Sequence, residues 1–152
     1  MVCCRRSGVY VLAAFLIAGC GSSADDMSEG RLAQMAGGTL KGVVPVSGKV
    51  LVDGVPKDGV NIFLYASTGG KVITECRTDS DGAYCWTTHT ECDGLEPGTY
   101  RLGFQYSPKQ RRNDRGTDLF GGRYSDPMKV EFLLTVAEGS PQTDVNYELT
   151  TK

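Results

Sequence analysis

Between Thr78 and Tyr106 the large apolar side chains recur at every second position. Tyr84 and Trp86 form one pair, and Tyr100, Leu102, Phe104 and Tyr106 form one row. A period of two puts all of these on one face of a strand, whereas a helix would scatter them around its circumference. Asp79-Ser80-Asp81-Gly82 is a turn signal, and Asp93-Gly94 and Pro97-Gly98 punctuate a loop. The stretch reads as strand, loop, strand, and its aromatics with the single Trp are expected at the centre of an all-β core.

The flanking sequence repeats this pattern. Val46 to Val52 alternates, with Val46, Val50 and Val52 facing inward, and Asp53-Gly54 turns the chain. Pro56 cannot donate to a ladder, so the segment to Gly59 is a loop or an edge. Val60 to Tyr65 is apolar at nearly every position, which predicts a central strand covered on both faces. Lys71 to Thr78, Met128 to Val136 and Val145 to Leu149 complete the set. Ser107 to Asp126 is a long irregular segment. Seven short strands between turns predict a two-sheet, Greek-key β-sandwich over residues 43–152. With 20 Gly and 6 Pro in 152 residues, the composition favours strands and tight turns over helices.

The first 42 residues read differently. Arg5 and Arg6 precede an apolar run, Val9 to Ala18, followed by Gly19 and Cys20. A charged, then apolar, then small-residue order is that of a secretory signal peptide, here residues 1–19. The run is shorter than the roughly 20 residues that span a bilayer. Leu16-Ile17-Ala18-Gly19-Cys20 resembles the lipobox of bacterial lipoproteins, which implies cleavage before Cys20 and lipid on its thiol. Two or more acyl chains give stable anchoring where one does not. Residues 20–42 then form the lipidated Cys and a small, polar tether. Cleavage removes Arg5 and Arg6 from 16 basic residues, leaving 14 against 18 acidic, a net charge of −4. That balance argues against nucleic acid as a partner. The expected partners are the membrane, through the anchor, and an envelope protein or glycan.

Several motifs resemble one family. Ser47-Gly48-Lys49-Val50 with Asp53-Gly54-Val55-Pro56, Thr78-Asp79-Ser80-Asp81-Gly82-Ala83-Tyr84, and Leu95-Glu96-Pro97-Gly98-Thr99-Tyr100 are similar, in order and spacing, to carboxypeptidase regulatory-like domains. Gly122 to Pro127 resembles the lipoprotein branch common in planctomycetes. The resemblance implies a transthyretin-like sandwich serving as a non-catalytic surface module. Hydrolases of the same fold use a His-rich site, and this chain has only His89, so that activity does not carry over.

Candidate sites are few. Asp79 to Gly82 fails the calcium-loop pattern because Arg77 stands where an acid is required, so a hairpin turn is expected. Cys76, Cys85, His89 and Cys92 have the residue types of a zinc site but not its spacing, and export favours disulfides. If Asp79 to Gly82 closes a hairpin, Cys76 lies opposite Cys85, within reach of a bridge. Cys85 with Cys92 is the rival pairing. Cys92 and His89 lack a third group to make a nucleophilic pair. Lys109, Arg111, Arg112 and Arg115 crowd one loop, either solvated or meeting an anionic partner. Lys49 and Asn146 lie on the first and last strands, as an internal isopeptide bond requires, but both should face solvent. No cofactor and no catalytic residue is expected. The alternative function, a carbohydrate-binding module, needs Tyr65, Tyr106 or Tyr124 to form an exposed platform.

Overall fold

The computed structural model describes residues 41–109, 116–129 and 132–152, and no helix occurs among them. The strands are β1 (Ser47–Val52), β2 (Val55–Pro56), β3 (Val60–Ala66), β4 (Val72–Arg77), β5 (Ala83–Cys85), β6 (Gly98–Tyr106), β7 (Leu133–Val136) and β8 (Tyr147–Leu149). They form two four-stranded sheets, an arrangement consistent with a β-sandwich.

β1 is the middle of the first sheet. β2 and β5 run antiparallel along one edge, and β8 runs parallel along the other. The alternation of backbone groups explains how one short strand serves three neighbours. The Val50 N–H donates to the Gly82 carbonyl at 2.8 Å, towards β5. The Lys49 N–H points the other way and donates to the Asn146 side-chain oxygen at 2.8 Å. The second sheet has the order β4-β3-β6-β7 and is antiparallel throughout.

β3 is central and buried on both faces, as its unbroken apolar sequence predicts. Val60, Ile62 and Leu64 are fully buried and join Val50, Trp86, Leu102 and Phe104 in one core between the sheets. Each large apolar side chain so buried contributes about 1.5–3 kcal/mol. Phe63 is buried too but lies outside that cluster, on the other face. Val46, Val50 and Val52 are 2%, 0% and 1% exposed, in agreement with their predicted inward register.

A string of aromatic rings ties the long loop to both sheets. It runs Tyr106–Phe120–Tyr124–Phe132–Tyr147–Tyr84–Trp86, with successive centroids 5.0–6.2 Å apart. Such pairs add about 0.5–1.5 kcal/mol each beyond their burial. The same loop finishes the edge of β6 that β7 leaves uncovered. Leu102 donates to the Phe132 carbonyl at 2.9 Å and Phe104 to the Tyr124 carbonyl at 2.8 Å. Tyr106 donates to the Asp118 carboxylate at 2.9 Å. These are the backbone donors that an exposed edge would present to another chain.

The turn after β4 forms as expected, but it does not close a hairpin. Asp79 Oδ1 accepts the N–H groups of Asp81 and Ala83, both at 2.9 Å. Gly82 has φ of +69°, and a Cβ there would meet the Val50 carbonyl at 2.8 Å, so only glycine fits. The chain then leaves β4, which pairs with β3, and enters β5, which pairs with β1 in the other sheet. Thr78 holds the crossing point. Its hydroxyl accepts the Val60 N–H at 2.9 Å and donates to the Lys57 carbonyl at 2.7 Å.

This crossing overturns the expected Cys76–Cys85 bridge. Cys76 lies opposite Ile62 and packs on the core. Cys85 alternates with buried Tyr84 and Trp86, so it points away from the core. The bridge is instead the rival one, Cys85–Cys92, and Cys76 is a free thiol. A second correction concerns the strand expected from Met128. Met128 sits in a turn capped by Asp126, and the strand begins only at Leu133. Val130, within the expected strand, lies outside the described residues.

Thr78→Val keeps the shape of the crossing but leaves the buried Val60 N–H without an acceptor. The expected cost is about 1–3 kcal/mol, read as a lowered urea midpoint. An unchanged midpoint would show that the hydroxyl is dispensable.

Candidate functional site

The strand register defines two ends of the molecule. Val44, Ala66, the segment Thr87–Gly98 and the turn after Val136 lie at one end, where the chain emerges from residues 1–40. Asp53–Gly59, Thr78–Gly82, Ser107 and Thr150–Lys152 lie at the other. The first end carries the most built loop of the described residues.

That loop follows β5 and is organised by Asp93. Its Oδ1 accepts the Thr88 N–H at 2.7 Å, and its Oδ2 accepts those of His89 and Thr90 at 2.8 and 3.0 Å. The loop closes through the Cys85–Cys92 disulfide, whose Cα atoms are 5.3 Å apart. The Thr88 hydroxyl donates to the Gly94 carbonyl at 2.6 Å, and Thr87 Oγ1 accepts the Cys92 N–H at 3.0 Å. Gly94 has φ of +108°, and a Cβ there would overlap the Val44 carbonyl. Burial raises the Asp93 pKa, but the backbone donors of Thr88, Thr90 and His89 outweigh it, and the net shift is downward.

The loop forms one wall of a cleft of about 340 Å³ between the two sheets. The opposite wall comes from a β-bulge. Leu64 pairs with Thr74 but Tyr65 pairs with Val72, so Ile73 is an extra residue thrown out of the ladder. A bulge re-aims side chains in this way. Ile73 is 56% exposed and lines the cleft with buried Leu64 and Leu95. Tyr100 closes the floor, with its hydroxyl donating to the Glu96 carbonyl at 2.9 Å. Burial, and then the Glu96 charge, push the Tyr100 hydroxyl pKa up, so it stays a donor. On the rim, Glu96 pairs with Lys41 at 3.0 Å.

The sequence candidates fall in different places. Cys76, Cys85, His89 and Cys92 are not assembled for zinc, since the disulfide consumes two of them. Among the described residues no group of three metal-ligating side chains converges. Burial, and then the charge of Glu75, push the Cys76 thiol up, so it stays protonated and is a poor nucleophile. His89 is half-buried, and its Nε2 has no hydrogen-bond partner. Lys49 and Asn146 are exposed, as expected, and meet only through a backbone N–H. Lys109 is exposed at the far end, and Arg111, Arg112, Arg115 and Cys20 lie outside the described residues.

The tyrosine platform is not formed. Tyr106 faces Phe120 within the aromatic string, and Tyr124 packs edge-on against the same ring. Tyr65 lies on the opposite face of the second sheet, beside Gly103. Ile73, Thr74 and Thr87, which line the cleft, carry no motif. Their juxtaposition depends on a bulge and on pairing across sheets, which leave no trace in local sequence.

The sequence matches no family model and no curated protein. Among solved structures, the chain is similar to BcpA, the major pilin subunit of Bacillus cereus. The likeness has 13% identity and a TM-score of 0.45, and covers 72% of this chain and 30% of that one. This chain therefore spans about a third of the pilin's length. It is also similar to the dioxygenase domain of a dioxygenase carbohydrate-binding protein fusion from Streptomyces sp. SirexAA-E. There the identity is 17% and the TM-score 0.32, over 73% of this chain and 80% of that one.

Peptide mapping without reductant is expected to yield Cys85 linked to Cys92 and a free Cys76. A Cys76–Cys85 peptide would overturn the crossing of the chain between sheets. A second expectation concerns acid. The folded Asp93 pKa lies below the ordinary carboxylate value, so its contribution is present above that ordinary value and is lost as pH falls through the folded one. Amide exchange at Thr88, His89 and Thr90 should accelerate there, ahead of the core. Exchange that stays uniform across the domain would contradict the role of Asp93.

Proposed function

We propose that the chain is an exported lipoprotein that presents its sandwich outside the cytoplasm as a structural or ligand-binding module. In this reading residues 1–19 are the signal peptide, Cys20 carries lipid, and residues 20–42 tether the domain. The domain takes the Greek-key, transthyretin-like form of carboxypeptidase regulatory-like modules and acts without catalysis or cofactor. The membrane, through the anchor, and an envelope protein or glycan are its partners.

The observation that carries this reading is the order Arg5-Arg6, Val9 to Ala18, Gly19, Cys20. Two structural features support it. Backbone pairing of the domain starts at Val44, which bonds Leu95, just after the proposed tether. The Cys85–Cys92 disulfide suits an oxidising compartment. No helix among the described residues is long and apolar enough to cross a membrane. The non-catalytic reading draws on a Cys76 thiol that burial keeps protonated and on a His89 whose Nε2 has no hydrogen-bond partner among the described residues. A glycan-binding role is the second reading, favoured by the cleft beneath the Asp93 loop.

Cys20→Ala is expected to move the protein from the membrane fraction to the soluble one, or to stop its maturation. Tight membrane association of that variant without detergent would refute the anchor.

A further inference from the structure

We infer that the cleft between β4 and the disulfide-closed loop is a binding site for one neutral hydroxylated ring, a single sugar unit of a glycan. The inference rests on the binding-module reading above and names its ligand class.

Size and chemistry both point this way. At about 340 Å³ the cleft is at the small end of the roughly 300–1,000 Å³ typical of ligand sites. That is room for a ring rather than a folded partner. Its floor is apolar: Leu64, Leu95 and the Tyr100 ring, with Ile73 on the open side. Ile73 and the Tyr100 ring offer an apolar wall to the C–H face of a pyranose, which needs cover from water.

The rim is polar and has unused capacity. Thr87 Oγ1 accepts the Cys92 N–H, so its own proton is free to donate. The Thr74 hydroxyl has no partner among the described residues. Glu96 borders this cleft as well as the neighbouring one, where Lys41 meets its Oε2, so the carboxylate offers an acceptor to a ligand hydroxyl. That exposed ion pair already offsets part of the Glu96 charge. A cationic ligand would gain little from it, whereas a neutral hydroxyl can still donate to it. A purely apolar ligand would leave three rim groups facing it without partners, at a cost for each.

The walls are also held in advance. Thr87 and Thr88 belong to a loop fixed by a disulfide and by three backbone bonds to Asp93. Ile73 is set by the bulge between two paired strands. Fixed walls lower the ordering cost that otherwise cancels weak contacts. Trp86, the only Trp in the chain, adjoins Thr87 and reports on this wall.

The test titrates full-length protein in detergent with methyl glucoside, N-acetylglucosamine and their β-linked dimers. Trp86 fluorescence and amide shifts are the readouts. Binding is expected to saturate with Kd in about the millimolar range for a single ring, with shifts centred on Thr74, Thr87 and Glu96. The Thr74→Val, Thr87→Val double variant should weaken it at least ~fivefold. Ile73→Glu changes an exposed side chain, so it should leave the urea midpoint unchanged while abolishing binding. Saturation by cyclohexanol or cyclohexylamine but not by any sugar would overturn the ligand class. Absence of saturation by every probe, or full binding by the variants, would overturn the site. None of these readouts depends on Cys20, so failure here is distinct from failure of the anchor.

Discussion

Thr78 is the residue on which the arrangement of the chain turns. It ends a strand of one sheet, and five residues later the chain is a strand of the other. Its hydroxyl, backbone N–H and carbonyl bond Val60, Lys57 and Gly59, so the departure from β4 is fixed by four hydrogen bonds around one buried side chain. Had the chain turned back on itself, β4 and β5 would pair and the first sheet would lose a strand. The separation of these two strands sets the cysteine pairing, leaves a cleft between the sheets, and frees β5 to extend into the Asp93 loop.

The two sides of the sandwich are finished by different means. On one side, the loop after β6 supplies carbonyls and a carboxylate to the β6 edge and sends Phe120 and Tyr124 into an aromatic string. That side is closed by packing. On the other, β4 and β5 face each other without a ladder, and the gap is bordered by a bulge and a stapled loop. Rigid walls with unfilled space between them therefore lie on that side.

The inward faces of β1, β3, β5 and β6 were legible from residue order, because a period of two is a direct consequence of strand geometry. The burial of β3 on both faces was legible for a different reason, its nearly unbroken apolar run from Val60 to Tyr65. Which strands pair was not. Asp79 to Gly82 has the chemistry of a tight turn, and the turn forms, but turn chemistry is the same whether the chain returns to its own sheet or crosses to another. The cysteine pairing failed with it. Tyr65, Tyr106 and Tyr124 could not be sorted by sequence either, since a Tyr on a half-buried face serves a core and a platform equally well. The bulge at Ile73 is invisible in sequence, because no glycine or proline marks it.

The parallel run of β8 beside β1 has a mechanical meaning. The chain comes in at one end of the molecule and Lys152 lies at the other, with β1 and β8 aligned side by side between them. A pull between residue 41 and residue 152 acts along these strands in opposite senses. The bonds of Ser47 with Gln142 and Val145, of Lys49 with Asn146, and of Asp53 with Leu149 are then loaded together, sideways to their own axes. They must give way as a set rather than open one after another. A domain held at its first residue and tugged at its last would resist as a clamp does, through shear.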